Sequence, residues 1–287
     1  MDVGFTGATG KLGTLIGREL AKRGLPHRAF SRSPEKIPVW DQREALRLDF
    51  DDTEALKSGF KGLKRLFLIS TPDSPAVRMR RHGNAIEAAR AAGVEHTIFL
   101  SIRDASPDSP FPFAVANYDS ERRLRAAVAS DWTILRPNLY AESIVSMGGK
   151  DIEEERITFP WPGARVGYVA RIDIARVAAG LLQNGGARGA VLDVTGPEAL
   201  TLSEVAKRLA AIGHTVRVEP MPLDSYTEQL TGSFPPDTVA AFSGLCRALA
   251  EGRFDVTSDT VETYGGQPAT RLEQVLASEL TQRAVTR

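Results

Sequence analysis

Through the first 140 residues, apolar runs of strand length alternate with segments of helical period, and few folds accommodate that alternation. Strands are expected at 2–6 (DVGFT), 27–31 (HRAFS), 45–48 (ALRL), 64–70 (KRLFLIS), 96–101 (HTIFLS) and 132–136 (WTILR), with helices at 11–23, 53–59, 75–92 and 117–129 between them. Parallel strands need crossover connections, so the pattern predicts an α/β fold: a doubly wound parallel sheet with helices on both faces. Beyond residue 140 the alternation weakens. Proline and glycine cluster in TFPWPGARVGY (158–168), a helix is expected at 172–183 and a strand at 190–195, and Thr201 and Glu204 have capping-box spacing ahead of another helix. The tail after that reads as short helices and loops. We therefore expect a nucleotide-binding-type domain at 1–140, rejoined by segments within 166–195, and a smaller mixed α/β domain at 141–287 that covers the ligand edge of the sheet.

Between the first strand and the first helix lies TGATGKLG, with glycines at 7, 10 and 13. In a Rossmann sheet this is where a dinucleotide diphosphate binds. Gly7 permits the tight turn, Gly10 lets the phosphates approach the backbone, and Gly13 allows close packing of helix on strand. Ala8 and Thr9 complete the turn, and the first helical amides, near Lys11 and Leu12, face the anion at the positive end of the helix dipole. The second strand distinguishes the cofactors: NAD calls for an acidic residue there and NADP for a cation. Arg32 follows that strand with Ser33 beside it, so NADP(H) is favoured over NAD(H). After the third strand, LDFDD puts Asp49 and Phe50 where an adenine would lie.

Composition narrows the partners. Lys+Arg and Asp+Glu both total 36 in 287 residues, so no basic footprint points to nucleic acid or to a membrane surface, and a small molecule is the expected partner. Cys246 is the only cysteine, which excludes an internal disulfide, and we read it as a packed apolar residue. No signal peptide and no membrane-length apolar run is visible, so a cytoplasmic protein is expected. His82, near the start of a helix, reads as structural or surface rather than catalytic. No His/carboxylate cluster has ligand spacing, and neither metal nor flavin is expected.

The set TGATGKLG, SRSP, LDFDD, NAIEAARAAGVEHTIFLS, ILRPNLY and VTGPEALTLSEVAKRLA resembles the NmrA-like branch of the atypical short-chain dehydrogenases over nearly the whole chain. Its nearest-looking members are small NAD(P)H-dependent quinone oxidoreductases. The resemblance implies NADP(H) and adds cofactor contacts at Ser70 and Thr71, Ser101, and Pro137, Asn138 and Tyr140. It also marks a departure. Many relatives begin the next helix with His or Lys facing the nicotinamide, followed four residues later by Lys or Glu, whereas this chain has Asn117 and Glu121. An amide accepts and donates hydrogen bonds but supplies no proton near neutral pH. Tyr118 and Arg122 repeat the four-residue spacing of the Tyr and Lys used by standard short-chain dehydrogenases, with Ser101 on the preceding strand. Asn117, Tyr118 and Ser101 are thus the candidate catalytic residues.

Aromatic residues gather where a substrate would be walled: Phe111, Phe113 and Tyr118 before and within one helix, Tyr140 after the sixth strand, Phe159 and Trp161 in FPWPG. Such a cleft suits a planar quinone or related aromatic carbonyl, whose reduced form spreads its charge and needs no strong acid. Only 8 of the 36 cations are lysine, a bias that hints at a high-GC genome and at a secondary-metabolite, polyketide-type substrate. Two other readings stay open: an NADP-binding regulator that senses redox state without turnover, and a polyketide-tailoring oxygenase or hydroxylase on the same fold. A monomer or a homodimer is expected.

Overall fold

The computed structural model describes residues 1–127 and 131–285. Seven strands, β1 (Val3–Phe5), β2 (His27–Ser31), β3 (Arg43–Arg47), β4 (Arg65–Ile69), β5 (His96–Leu100), β6 (Asp131–Pro137) and β8 (Ala190–Val194), form one sheet. Their order is β3-β2-β1-β4-β5-β6-β8 and every pair is parallel. Helices α1 (Lys11–Lys22), α2 (Thr53–Phe60), α3 (Pro75–Ala91), α4 (Pro112–Ala126) and α6 (Arg171–Asn184) make the crossovers. The order reverses between β1 and β4, and ligands of such sheets sit at the carboxyl ends of the strands beside that reversal.

Near-continuous apolar strands are the signature of a sheet covered on both sides, and the two cores show how they are used. Ala29, Phe67, Ile98 and Leu135 enter the core beneath α1 and α6, while their chain neighbours Phe30, Leu68, Phe99 and Ile134 enter the core beneath α2, α3 and α4. Period two thus feeds both layers from one strand. Phe30 and Phe60 meet edge-on at 5.5 Å in the second core.

The remaining chain builds α5 (Ser143–Glu153), β7 (Arg156–Phe159), α7 (Leu202–Ala211), β9 (Arg217–Pro220), α8 (Leu223–Thr231), α9 (Pro236–Ala250), α10 (Thr260–Gly265) and α11 (Leu272–Val285). Strands β7 and β9 pair in parallel as a separate two-stranded sheet. The capping box at Thr201 and Glu204 forms in full at the start of α7. One more core joins Phe111 of the β5–α4 loop to Val166, Ala241, Leu249 and Phe254, packing this region over the carboxyl edge of the main sheet.

Two expectations are corrected. Helix α4 begins at Pro112, not at 117, because proline at the first helical position has its φ preset and its missing N–H costs nothing there. Asn117 and Tyr118 therefore sit in the second turn. The expected end of that helix, at 129, lies outside the described residues. The tail is also more regular than short helices and loops: α9 and α11 run 15 and 14 residues, and α9 buries Ala241, Cys246 and Leu249 along one side. Cys246 is buried, and desolvation pushes its thiol up to about 12. That suits a packed residue and not a nucleophile.

Candidate active site

The turn from β1 to α1 is built by steric demand. Gly7 has φ +70°, a region open to glycine. A Cβ on Gly13 would stand 2.1 Å from the Gly7 carbonyl oxygen and 2.9 Å from the Ala8 Cα, so only glycine lets the helix seat on the turn. At Gly10 a Cβ would meet only the Gly7 oxygen, at 3.3 Å, and otherwise enters space open to a ligand. Gly10 caps α1 without any side-chain hydrogen bond, which leaves the first-turn amides, at Lys11 and Leu12, without a side-chain acceptor. Lys11 is exposed and Leu12 is buried. Neighbouring strands clamp the turn: the Ala8 amide donates to the Phe30 carbonyl at 3.0 Å, and the Thr9 and Ser31 hydroxyls meet at 3.0 Å. Gly13→Ala should cost about 3 kcal/mol through this backbone overlap, measured as a fall in denaturant midpoint, with NADPH affinity falling too. An unchanged midpoint would mean that the helix can simply shift.

Ser31 also accepts the Ser33 amide at 3.2 Å, which orders the loop carrying Arg32. Arg32 itself is exposed and enters no ion pair or hydrogen bond among the described residues. Its neighbour in charge, Arg81, is by contrast locked to Asp51 at 2.6 Å and to Asp73 at 2.8 Å. Asp49 and Phe50 stand half-buried at the end of β3; Asp49 Oδ1 accepts the Asp51 amide, and the Phe50 carbonyl accepts from Asn84. The cradle, the open approach at Gly10 and the unengaged guanidinium fit a phosphorylated dinucleotide. Among the described residues no group of three or more His, Cys, Asp or Glu could hold a metal, and no helix is long and apolar enough to cross a membrane.

At the carboxyl ends of β4, β5 and β6 the candidate catalytic residues separate into distinct surroundings. Ser101 is buried and its hydroxyl donates to Glu121 Oε1 at 2.6 Å. Glu121, fully buried, also receives Arg136 through two nitrogens at 2.9 and 2.6 Å and Arg125 at 3.0 Å. Asn117, also fully buried, accepts from Arg78 at 3.2 Å, while its own Nδ2 has no partner. Tyr118 is half-buried with no hydrogen bond among the described residues, and Arg122 points instead to Asp119 at 3.0 Å. Tyr118, Arg122 and Ser101 are therefore not joined by hydrogen bonds.

Sequence reasoning took His82 as structural or surface and missed Arg78, which with it holds this edge together. The His82 ring accepts the Thr71 amide at 3.1 Å, which puts the proton on Nδ1, from where it reaches the Ser120 hydroxyl at 2.9 Å. Desolvation, aided by the Arg78 charge, pushes His82 down to about 3, so it stays neutral. His82 is structural, tying the loop after β4 to α3 and α4. Ser70 accepts from Arg78 at 3.3 Å. The signal available beforehand was the helical spacing of Arg78 and His82, four residues apart on one face of α3.

Pro137, the last residue of β6, is buried in register with Val194. Asn138 spends both ends of its amide on the backbone, donating to the Phe254 carbonyl at 2.9 Å and accepting the Leu139 amide at 2.8 Å. Tyr140 bridges to Val169 and lies 5.0 Å from the Arg171 guanidinium; burial pushes its hydroxyl up to about 12. Phe111 and Phe113 meet edge-on at 5.5 Å, and Phe159 packs on the same core while stacking edge-on with Tyr226 at 5.9 Å. Trp161 is 41% exposed on the rim.

A family model described as NAD(P)H-binding matches residues 7–185. The chain is 27% identical over 267 residues to the NAD(P)H azoreductase of Xenophilus azovorans, covering 92% of each. Among solved structures it is similar to an NADPH-dependent quinone oxidoreductase of Escherichia coli complexed with NADPH, at 25% identity and a TM-score of 0.86 over 98% of this chain and 99% of that one. It is likewise similar to the Citrobacter sp. triphenylmethane reductase complexed with NADP(H), at 26% identity and a TM-score of 0.86 over 96% and 99%. Together with the glycine cradle and its unengaged arginine, these likenesses make the chain a member of the NAD(P)H-binding family, of the NmrA-like type, and an oxidoreductase that uses NADP(H).

Proposed function

We propose that the enzyme reduces a quinone or a related conjugated or aromatic carbonyl at the expense of NADPH. The observation that supports this reading is the carboxyl edge itself, where Phe111, Phe113 and Phe159 gather beside a helix whose Asn117 keeps an unpartnered amide nitrogen, while the nearby histidine is sealed and neutral. NADPH when bound supplies hydride at its nicotinamide ring. The chain's own residues bind, orient and stabilise. The Gly7–Leu12 turn holds the diphosphate, Arg32 with Ser33 grips the extra phosphate, and Asp49 with Phe50 borders the adenine. Ser70, Thr71, Pro137 and Tyr140 flank the nicotinamide end. Asn117 and Tyr118 donate hydrogen bonds to the acceptor's carbonyl oxygen as negative charge gathers there, and water delivers the proton. Ser101, committed to Glu121, holds the edge of β5 in place, and Asn138 does the same after β6. Phe111, Phe113, Phe159 and Trp161 wall the ring in.

The division into a domain at 1–140, rejoined by segments of 166–195, and a covering domain at 141–287 belongs to the same reading. The names of the relatives support quinones and dyes as the substrate class. The balanced charge and lone cysteine support a cytoplasmic, monomeric or dimeric enzyme, and the arginine bias supports a secondary-metabolite quinone.

Purified protein mixed with NADPH and a panel of benzoquinones and naphthoquinones should consume the cofactor. Clear NADPH binding with no consumption across the panel would overturn the reading. Asn117→Ala and Tyr118→Phe should each lower kcat/KM by about tenfold, the worth of one neutral hydrogen bond. A histidine acid would lose activity tenfold per pH unit above its own value, whereas kcat/KM here should hold level from about pH 7 to pH 9. A fall across that window would reveal a titrating donor.

A further inference from the structure

Arg78 is not accounted for by cofactor binding or by the fold. It lies one turn into α3, is 7% exposed, and enters no ion pair among the described residues. Its guanidinium donates to two neutral oxygens, Ser70 Oγ at 3.3 Å and Asn117 Oδ1 at 3.2 Å, and stands 4.4 Å over the Phe113 ring. The carboxylate whose charge reaches it, Asp73, is already held by Arg81 at 2.8 Å. Two buried donors, Arg78 Nε and Asn117 Nδ2, have no acceptor among the described residues. Desolvation lowers Arg78 only to about 10, so the charge persists at neutral pH. A buried cation without a counter-ion is costly, and buried donors are rarely left unmade without a ligand or water to receive them.

We propose that Arg78 and Asn117 form an anion-accepting subsite beside the hydride-transfer position, which selects acceptors carrying a fixed negative group, a sulfonate, carboxylate or phosphate, on the conjugated ring. The ring packs against Phe113, and the anion takes Arg78 Nε and one Asn117 N–H, which leaves the other Asn117 N–H for the acceptor's carbonyl oxygen. Arg suits this because its fork of N–H groups matches a planar or tetrahedral oxyanion and its charge does not titrate away. The inference rests on the quinone reading for its substrate but not for its anion.

The test compares two acceptors, menadione and 1,4-naphthoquinone-2-sulfonate, by kcat/KM. The parent enzyme should favour the sulfonate, Arg78→Met should lower the sulfonate-to-menadione ratio by about a hundredfold, and Arg78→Lys should keep most of it. A ratio that does not move in Arg78→Met, or a parent enzyme that favours menadione, overturns the subsite and leaves the quinone reading standing. If neither acceptor is reduced, the quinone reading fails by itself. Calorimetry of naphthalene-2-sulfonate on the NADP+ complex then decides the subsite: tight binding that Arg78→Met abolishes supports it, and no binding overturns it. An equal loss of NADPH affinity in Arg78→Met would assign the anion to the cofactor and likewise overturn the proposal.

Discussion

Replacing Arg32 with glutamate should weaken NADPH binding by roughly a hundredfold to a thousandfold while leaving NADH binding within about threefold. The size follows from the charge change: losing a charge-assisted, bidentate contact and adding repulsion is worth about 3–4 kcal/mol, at about 1.4 kcal/mol for each factor of ten. The selectivity follows from place. Arg32 sits on a loop braced through Ser33 and Ser31 to the glycine turn, and the carboxylate its charge reaches, Asp73, is held by Arg81, so the Arg32 guanidinium is available to a phosphate. NADH lacks that phosphate and should be indifferent to the exchange. Titration calorimetry with both cofactors reads the two affinities directly. Equal weakening of both would mean that the substitution distorts the turn, and unchanged NADPH affinity would remove Arg32 from the site. Because the contact is exposed, NADPH affinity of the parent enzyme should also fall with added salt.

Replacing Glu121 with alanine should cost about 3–5 kcal/mol of folding stability, roughly 10 °C in Tm for a chain of this size. Its carboxylate is fully buried and is the acceptor for Ser101, Arg136 and Arg125 at once. Removing it strands the Arg136 guanidinium, whose remaining hydrogen bond among the described residues is to the Ala105 carbonyl at 2.9 Å, and leaves the Ser101 hydroxyl without its acceptor. Breaking such a cluster from one side is worse than never having built it. Glu121→Gln keeps an acceptor and loses the charge, so it should fall between parent and alanine. Thermal and urea unfolding of both variants gives the comparison. A melting temperature for Glu121→Ala within about 2 °C of the parent would show that water or a shifted arginine replaces the carboxylate. The cluster spans the ends of β5 and β6 and the middle of α4, so loosening it should also raise KM by displacing Asn117 and Tyr118, one turn away.

The architecture and the choice of NADP(H) were legible in the residues because both depend on local rules. Apolar runs of strand length between helical periods specify a two-layered parallel sheet, and six of its seven strands lie within a few residues of where the pattern puts them before residue 140. Gly7, Gly10 and Gly13 are spaced for one turn of backbone, and Arg32 needs only to follow the second strand. The catalytic end was not legible in the same way. Ser101 looked like a cofactor or catalytic hydroxyl because it ends the right strand, yet it is committed to Glu121, twenty residues away in sequence. His82 read as structural or surface, and Arg78 carried no signal of its own until α4 packed against them. The start of α4 moved to Pro112 because a proline that breaks the middle of a helix is well suited to its first position.

The amino-acid sequence alone determined the order of strands and helices, the glycine-rich turn after β1 and the preference for the phosphorylated cofactor, since each is set by residues close together along the chain. Only the tertiary structure decided which polar groups at the carboxyl edge are spent on one another and which remain free. That division depends on burial and on partners brought together from distant segments: Glu121 against Arg136, His82 against Thr71, and Arg78 against Asn117 with no ion pair of its own among the described residues.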